Sequence, residues 1–253
     1  MRRQNTVTIT PIALVLALAL GVFSPLMARA EQMLELYQRH KAMGDIEVTI
    51  ARAAVRVRQK NGLTFVIAAP SWNVSIFQPR KKKIAVLTYA NFARNGPKHI
   101  EYFEGAIDWS LVVEAENCRY RGLQAKAYAL PFKSRDGKLV DLKRGKVGSY
   151  LVNTSFAVDP HIRSFLQQMF HIQAADGIPL KYVKIGKPYS FGQGLAYNRS
   201  EEVVTILDTM SGAMKPFRKN VFLVPSGYKT TSESDLTFGD KSEDMQEIMK
   251  ELD

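Results

Sequence analysis

Two-residue alternation dominates the chain beyond residue 45. Ile46, Val48 and Ile50 alternate with polar neighbours, and Val55 and Val57 alternate with Arg56 and Arg58. This is the period of half-buried strands. Asn61-Gly62 is a turn dipeptide favoured in tight hairpins, so Leu63 to Ala69 is expected to return as a strand that Pro70 stops. Trp72 to Phe77 forms the next predicted strand. Pro79-Arg80-Lys81-Lys82-Lys83 turns the chain, and Ile84 to Tyr89 runs back. Strands joined by turns this short make an antiparallel meander. Further strand-like segments follow at Ile107–Val113, Tyr120–Leu130, Ile178–Ile185, Val203–Asp208 and Val221–Val224.

Helical spacing occurs in three places. Met33, Leu34, Leu36 and Tyr37 predict a front helix over Glu31–Met43, with Gly44 to end it. Asp159-Pro160 sets an N-cap residue before a proline at the first helical position. Ile162, Phe165, Leu166, Met169, Phe170 and Ile172 then share one broad face over 159–174, and Gly177 closes the segment. Met245, Ile248, Met249 and Leu252 give an amphipathic stretch over 242–253. Residues 133–148 read as an exposed basic loop, and Gly192-Gln193-Gly194 punctuates another. The strands do not alternate regularly with helices, which argues against a parallel α/β sheet. The expected fold is α+β, mainly antiparallel β, with helices covering the concave face of a curved sheet.

The N-terminus changes the picture of location. Arg2 and Arg3 precede an apolar run from Ile12 to Phe23, and Ala28-Arg29-Ala30 supplies small residues at cleavage positions. That order is the pattern of a secretory signal peptide. Its apolar core is shorter than the roughly 20 residues that span a bilayer. The expected organisation is a leader at 1–30, one β-rich domain at 31–228 and an acidic tail at 229–253. The expected location is the periplasm or the exterior. The single cysteine, Cys118, excludes an intramolecular disulfide framework and a multi-cysteine zinc site, and burial suits it best.

Charge is uneven. Residues 229–253 carry a net −5, which leaves +13 on 31–228. A basic body suits an anionic partner such as a membrane surface, and the basic turn at 79–83 is one place for such contact. No helix-turn-helix, RNP or zinc-finger pattern points to nucleic acid. No H-E-x-x-H, Walker A, G-x-S-x-G or G-x-G-x-x-G motif occurs. Ser226-Gly227-Tyr228-Lys229 matches S-x-x-K, but Pro225 and Gly227 deny the serine a helix start, and Lys229-Thr230-Thr231 is not K-T-G. The expectation is a non-enzyme with no cofactor and no metal.

Three segments together resemble the LolA-like superfamily of periplasmic lipoprotein carriers. They are Trp72-Asn73-Val74-Ser75-Ile76-Phe77-Gln78-Pro79-Arg80 with its return strand, Gly177-Ile178-Pro179-Leu180-Lys181, and Val221-Phe222-Leu223-Val224-Pro225-Ser226-Gly227-Tyr228. With the leader and the front helix, the resemblance covers about residues 31–230 in order. The basic loop at 133–148 and the acidic tail depart from it. It implies a half-open β-barrel whose apolar cavity holds a lipid acyl chain or lipoprotein beneath the 159–174 helix. Trp72, Trp109, Phe165, Met169 and Phe170 are the expected cavity and lid residues. The alternative is an envelope interaction protein whose basic surface binds an anionic macromolecule or membrane.

Overall fold

A computed structural model describes residues 31–95, 113–130, 148–173, 175–186 and 202–237. The leader, Trp109, the 133–148 loop up to its last residue, the Gly192–Gly194 segment and the 242–253 stretch lie outside these residues. The described strands form one sheet, built from two meanders. The first runs β1 (Gln32–His40), β2 (Gly44–Ala51), β3 (Ala54–Gln59), β4 (Thr64–Ala68), β5 (Val74–Gln78) and β6 (Lys83–Leu87). The second runs β7 (Val113–Tyr120), β8 (Leu123–Leu130), β9 (Gly148–Asn153), β10 (Ile178–Gly186) and β11 (Glu202–Pro216). β1 pairs antiparallel with β11 and joins them. A two-residue β12 (Lys229–Thr230) adds to β6 in parallel. The order is β12-β6-β5-β4-β3-β2-β1-β11-β10-β9-β8-β7, with no ladder closing the two edges.

The front helix is corrected to strand β1. Leu34, Leu36, Gln38 and His40 are buried on one face, while Tyr37 and Arg39 point to the other. Two of the four inward positions are polar, which hid the two-residue period. The apolar spacing that suggested a helix fits both periods, and ladders on both sides decide between them. The 221–224 strand is also corrected. Lys219–Phe222 is a 3-10 turn, and Leu223 and Val224 are exposed. The expected strand at 203–208 extends to Pro216, and the one at 72–77 starts only at Val74.

Curvature comes from register shifts at Tyr37/Gln38, Pro179/Lys181, Tyr182/Val183 and Glu114/Asn117. Such bulges bend strands and increase twist. All four lie on the β1–β11 seam or in the second meander. The tip of the β7–β8 hairpin therefore reaches back across β9 and β10 to β11. There the Tyr120 hydroxyl donates to Asp208, the Arg121 Nε–H donates to the Thr209 carbonyl, and Leu123 lies against Gly212.

Among the described residues three helices accompany the sheet: α1 (Tyr89–Asn95), α2 (Pro160–Met169) and α3 (Glu233–Thr237). The main core gathers the concave-face residues of β1–β6 and β8–β11 with Ile162, Phe165, Leu166 and Met169 of α2, Phe92 of α1 and Leu236 of α3. A smaller core covers part of the opposite face. Met33, Ala54, Val66 and Phe77 meet Phe222 there, and Phe217 stacks on Phe222 with centroids 6.0 Å apart. The first part of the acidic tail is thus seated on the sheet, through β12 and through Leu236, which is 4% exposed.

Two stability outcomes follow from this packing. Gly177 has φ +155°, and a Cβ there would stand 2.7 Å from the Asn153 carbonyl oxygen. Gly177→Ala should cost about 1–3 kcal/mol, lowering the melting temperature by roughly 3–10 °C in a calorimetric scan. Leu236→Ala should cost about 2 kcal/mol, the low end for a buried leucine because α3 is short and peripheral. Denaturant titration checks it, and an unchanged midpoint would show that α3 is not held.

Candidate functional site

The strongest candidate is the interface between α2 and the concave face. Its position begins with local sequence. The Asp159 carboxylate accepts the His161 backbone N–H at 2.9 Å, and Pro160 occupies the first turn. The helix thus starts where its sequence specifies. It ends sooner than its apolar stripe suggests, at Met169, because His171 adopts φ +50°. Phe170 and Ile172 remain buried beyond the last turn.

Contacts along its whole length hold α2 down. At its N-terminal end the Asp159 N–H donates to the Arg52 carbonyl in the β2–β3 turn. Beside it, the His161 ring is stacked on Trp72, with centroids 4.7 Å apart and planes 8° apart, and meets Tyr89 edge-on at 5.0 Å. At mid-helix Phe165 stacks on Phe92 at 4.9 Å. At the C-terminal end Phe170 stacks on His40 at 5.8 Å. The His40 Nδ1 accepts from the backbone N–H groups of Ala42 and Met43. Its Nε2–H therefore donates to the Phe170 carbonyl at 3.1 Å, which fixes the tautomer.

The structure places Trp72, Phe165, Met169 and Phe170 along this one interface. Trp72 is half-buried at its edge, with φ +54° in the β4–β5 turn, and the other three are fully buried. Trp109 lies outside the described residues. Sequence reasoning missed His40, Gln38 and Tyr150. The signal for the first two was present: they continue the Leu34, Leu36 alternation once polar residues are allowed on the inward face.

Polar groups on the concave face are incompletely bonded. Gln38 donates through Nε2 to the Pro179 carbonyl and to Thr209 Oγ1, yet its Oε1 has no partner. The Tyr150 hydroxyl also has none, although it lies between Tyr182 and the Gln167 side of α2. Gln167 is near enough to influence this hydroxyl but is not placed to bond it. Burial pushes the Tyr150 hydroxyl far above the usual phenol range, so it is a neutral donor. A buried polar atom without a partner is uncommon and marks a place where a ligand or water gains a bond.

Among the described residues no three or more His, Cys, Asp or Glu side chains are grouped to hold a metal ion. No helix among them is long and apolar enough to cross a membrane. Cys118 is half-buried against the core, less enclosed than expected, and is free.

No protein-family model and no curated protein matches the chain. Solved structures resemble it weakly. One is an uncharacterised conserved protein from Thermus thermophilus, with 8% identity, a TM-score of 0.40, and coverage of 79% of this chain and 89% of that one. Another is a domain from Vibrio parahaemolyticus named, provisionally, as an outer membrane lipoprotein-sorting protein domain. It has 9% identity, a TM-score of 0.24, and coverage of 76% of this chain and 87% of that one. Neither likeness bears on what this chain does.

The cap that starts α2 gives a pH-dependent outcome. The bond from the His161 backbone N–H, with the imidazole second, holds the Asp159 carboxyl below its usual range. A depressed carboxyl stabilises the fold above its unfolded value of about 3.9. That stabilisation is lost as pH falls through the folded pKa. Asp159→Ala should cost about 1 kcal/mol at neutral pH. Asp159→Asn, which keeps an acceptor, should cost less. Melting curves from pH 7 to pH 2 should show the Asp159→Ala deficit shrinking below pH 4, and a deficit constant with pH would disprove the cap's role.

Proposed function

We propose that this protein is an exported, non-enzymatic carrier that binds the acyl portion of a lipid or lipidated protein against its concave face, with α2 as the movable cover. The observation that supports this reading most is the interface itself. An apolar, curved sheet face is covered in large part by one ten-residue helix, and that face carries a buried Tyr150 hydroxyl and a buried Gln38 carbonyl oxygen without partners. An amphiphile that displaced Phe165 and Met169 would gain about 0.8 kcal/mol for each CH2 it buried, and its polar end would find groups ready to bond. Carriage by this means needs no nucleophile, general base or cofactor.

The cover must move for a ligand to enter, because Phe165, Leu166, Met169 and Phe170 fill the interface when α2 is down. Loops rather than shared ladder bonds join α2 to the sheet, so α2 can lift without breaking a strand pairing, and an acyl chain taking its place would cover the face that Ile162, Phe165, Leu166 and Met169 now fill. Trp72, stacked on His161, is placed to report the movement.

The test uses Phe165→Ala and a fluorescent fatty-acyl probe on the exported form. The unmutated protein is expected to bind the probe saturably and to release it to unlabelled lysophospholipid. Phe165→Ala should weaken probe binding severalfold while costing less than the roughly 3–5 kcal/mol of a solid-core phenylalanine. In a Trp109→Phe background, probe binding should change Trp72 emission. Full core-scale destabilisation together with no saturable binding by the unmutated protein would reject the carrier reading.

A further inference from the structure

On the opposite face of the sheet an open groove of about 590 Å³ runs across β3, β2, β1 and β11 and ends against the 217–222 segment. Three arginines line it. Arg58 is bonded through one nitrogen to both carboxylate oxygens of Glu47, at 2.6 Å each. Arg218 is bonded to Glu35 at 2.9 Å. Arg56 is different. It stands between Thr49 on β2 and Val66 on β4 in the ladder, is half-buried, and makes no hydrogen bond or ion pair with the described residues. The hydroxyls of Thr49 and Ser211 also line the groove.

A guanidinium removed partly from water and left without a partner is unfavourable unless something supplies acceptors. Its surroundings add to the cost, since burial first and the like charge of Arg58 second lower the Arg56 pKa, with Glu47 opposing. The two carboxylates of the groove are already engaged by Arg58 and Arg218. Among the described residues no acceptor is left for Arg56, and an oxyanion from outside can supply one. A tetrahedral oxyanion suits the place better than a planar carboxylate. It can take the fork of Arg56 on two oxygens and leave a third for the hydroxyl of Thr49, which stands directly opposite in the ladder. The groove is far larger than one phosphate and lies in the size range of small-molecule sites, which leaves room for an attached polar group.

We infer that this groove binds a phosphate ester, with Arg56 as its principal ligand and the hydroxyl of Thr49, its ladder partner, completing the contacts. The site stands apart from the concave face and does not rest on the carrier reading. A phosphate ester can come from a free organic phosphate or from a lipid headgroup, and the two sources are separated by experiment.

Isothermal titration of the exported form with glycerol 1-phosphate is one arm. Co-sedimentation with phosphatidylcholine vesicles, with and without phosphatidylglycerol, is the other. Arg56→Gln should weaken binding about tenfold or more in whichever arm binds. Arg56→Lys, which keeps the charge but loses the fork, should weaken it less. Arg94→Gln, at the exposed end of α1, should leave binding unchanged. Fatty-acyl probe binding should be unaffected by Arg56→Gln. Saturable glycerol 1-phosphate binding with this pattern supports a free phosphate. Capture only by phosphatidylglycerol vesicles with this pattern supports a headgroup. If the unmutated protein binds in neither arm, or Arg94→Gln loses as much as Arg56→Gln, the site is refuted. Should Arg56→Gln fail to fold, Arg56→Lys decides by the same comparison with Arg94→Gln.

Discussion

The pairing of β1 with β11 is the constraint on which the rest of the structure depends. Each meander alone is a row of strands with an exposed edge, and edges are unstable without a partner. β1 supplies ladder bonds on both sides, to β2 and to β11, and so makes one sheet of two halves. It also carries the inward row Leu34, Leu36, Gln38 and His40. That row sits at the centre of the concave face, and its last member bonds the end of α2 through the Phe170 carbonyl. The strand that joins the sheet is thus also the strand that receives the cover.

The two faces of the sheet are used in different ways. The concave face is apolar with a few buried polar groups, and α2 is packed on it with its apolar side chains fully buried, braced by α1 through the Phe92–Phe165 stack. The opposite face is divided. Toward β3–β5 the strap around Phe217 and Phe222 seals an apolar patch. Toward β1 and β11 the surface stays open and charged: Arg58 pairs with Glu47 across β3 and β2, Arg218 reaches Glu35 on β1, and Arg56 has no partner among the described residues. Register accounts for this division. A strand's side chains alternate between faces, so Val55 and Val57 face the core while Arg56 and Arg58 face the groove.

The curvature is equally local in origin. The bulges fall along the β1–β11 seam and in the second meander, and they carry the β7–β8 tip back onto β11. Gly212 makes the close approach possible, since a Cβ there would lie 2.7 Å from Leu123 and 2.8 Å from Leu36. The sheet bends enough to enclose a core with α2 yet leaves its edge strands unjoined.

Much of this was legible in the chain itself. Alternation at 46–57, the Asn61-Gly62 turn and the breaks at Pro70 and Pro79 specify the first meander, because period and turn chemistry are local properties. Asp159-Pro160 specifies the start of α2 for the same reason. The inward face of α2 was legible too, since Phe165 and Met169 lie four residues apart on one stripe. Other features needed the tertiary structure. Met33 to Tyr37 fits a helix as well as a strand, and only the ladders to β2 and β11 decide it. Val221 to Val224 has strand composition, yet no neighbouring strand offers it a ladder, so Phe222 packs as a plug instead. The partnerless Arg56, the orphaned Tyr150 hydroxyl and the His40–Phe170 contact join residues far apart in sequence, and nothing in the spacing of either partner announces the other. Local chemistry determined the elements, and the non-local pairing of β1 with β11 decided which side chains meet.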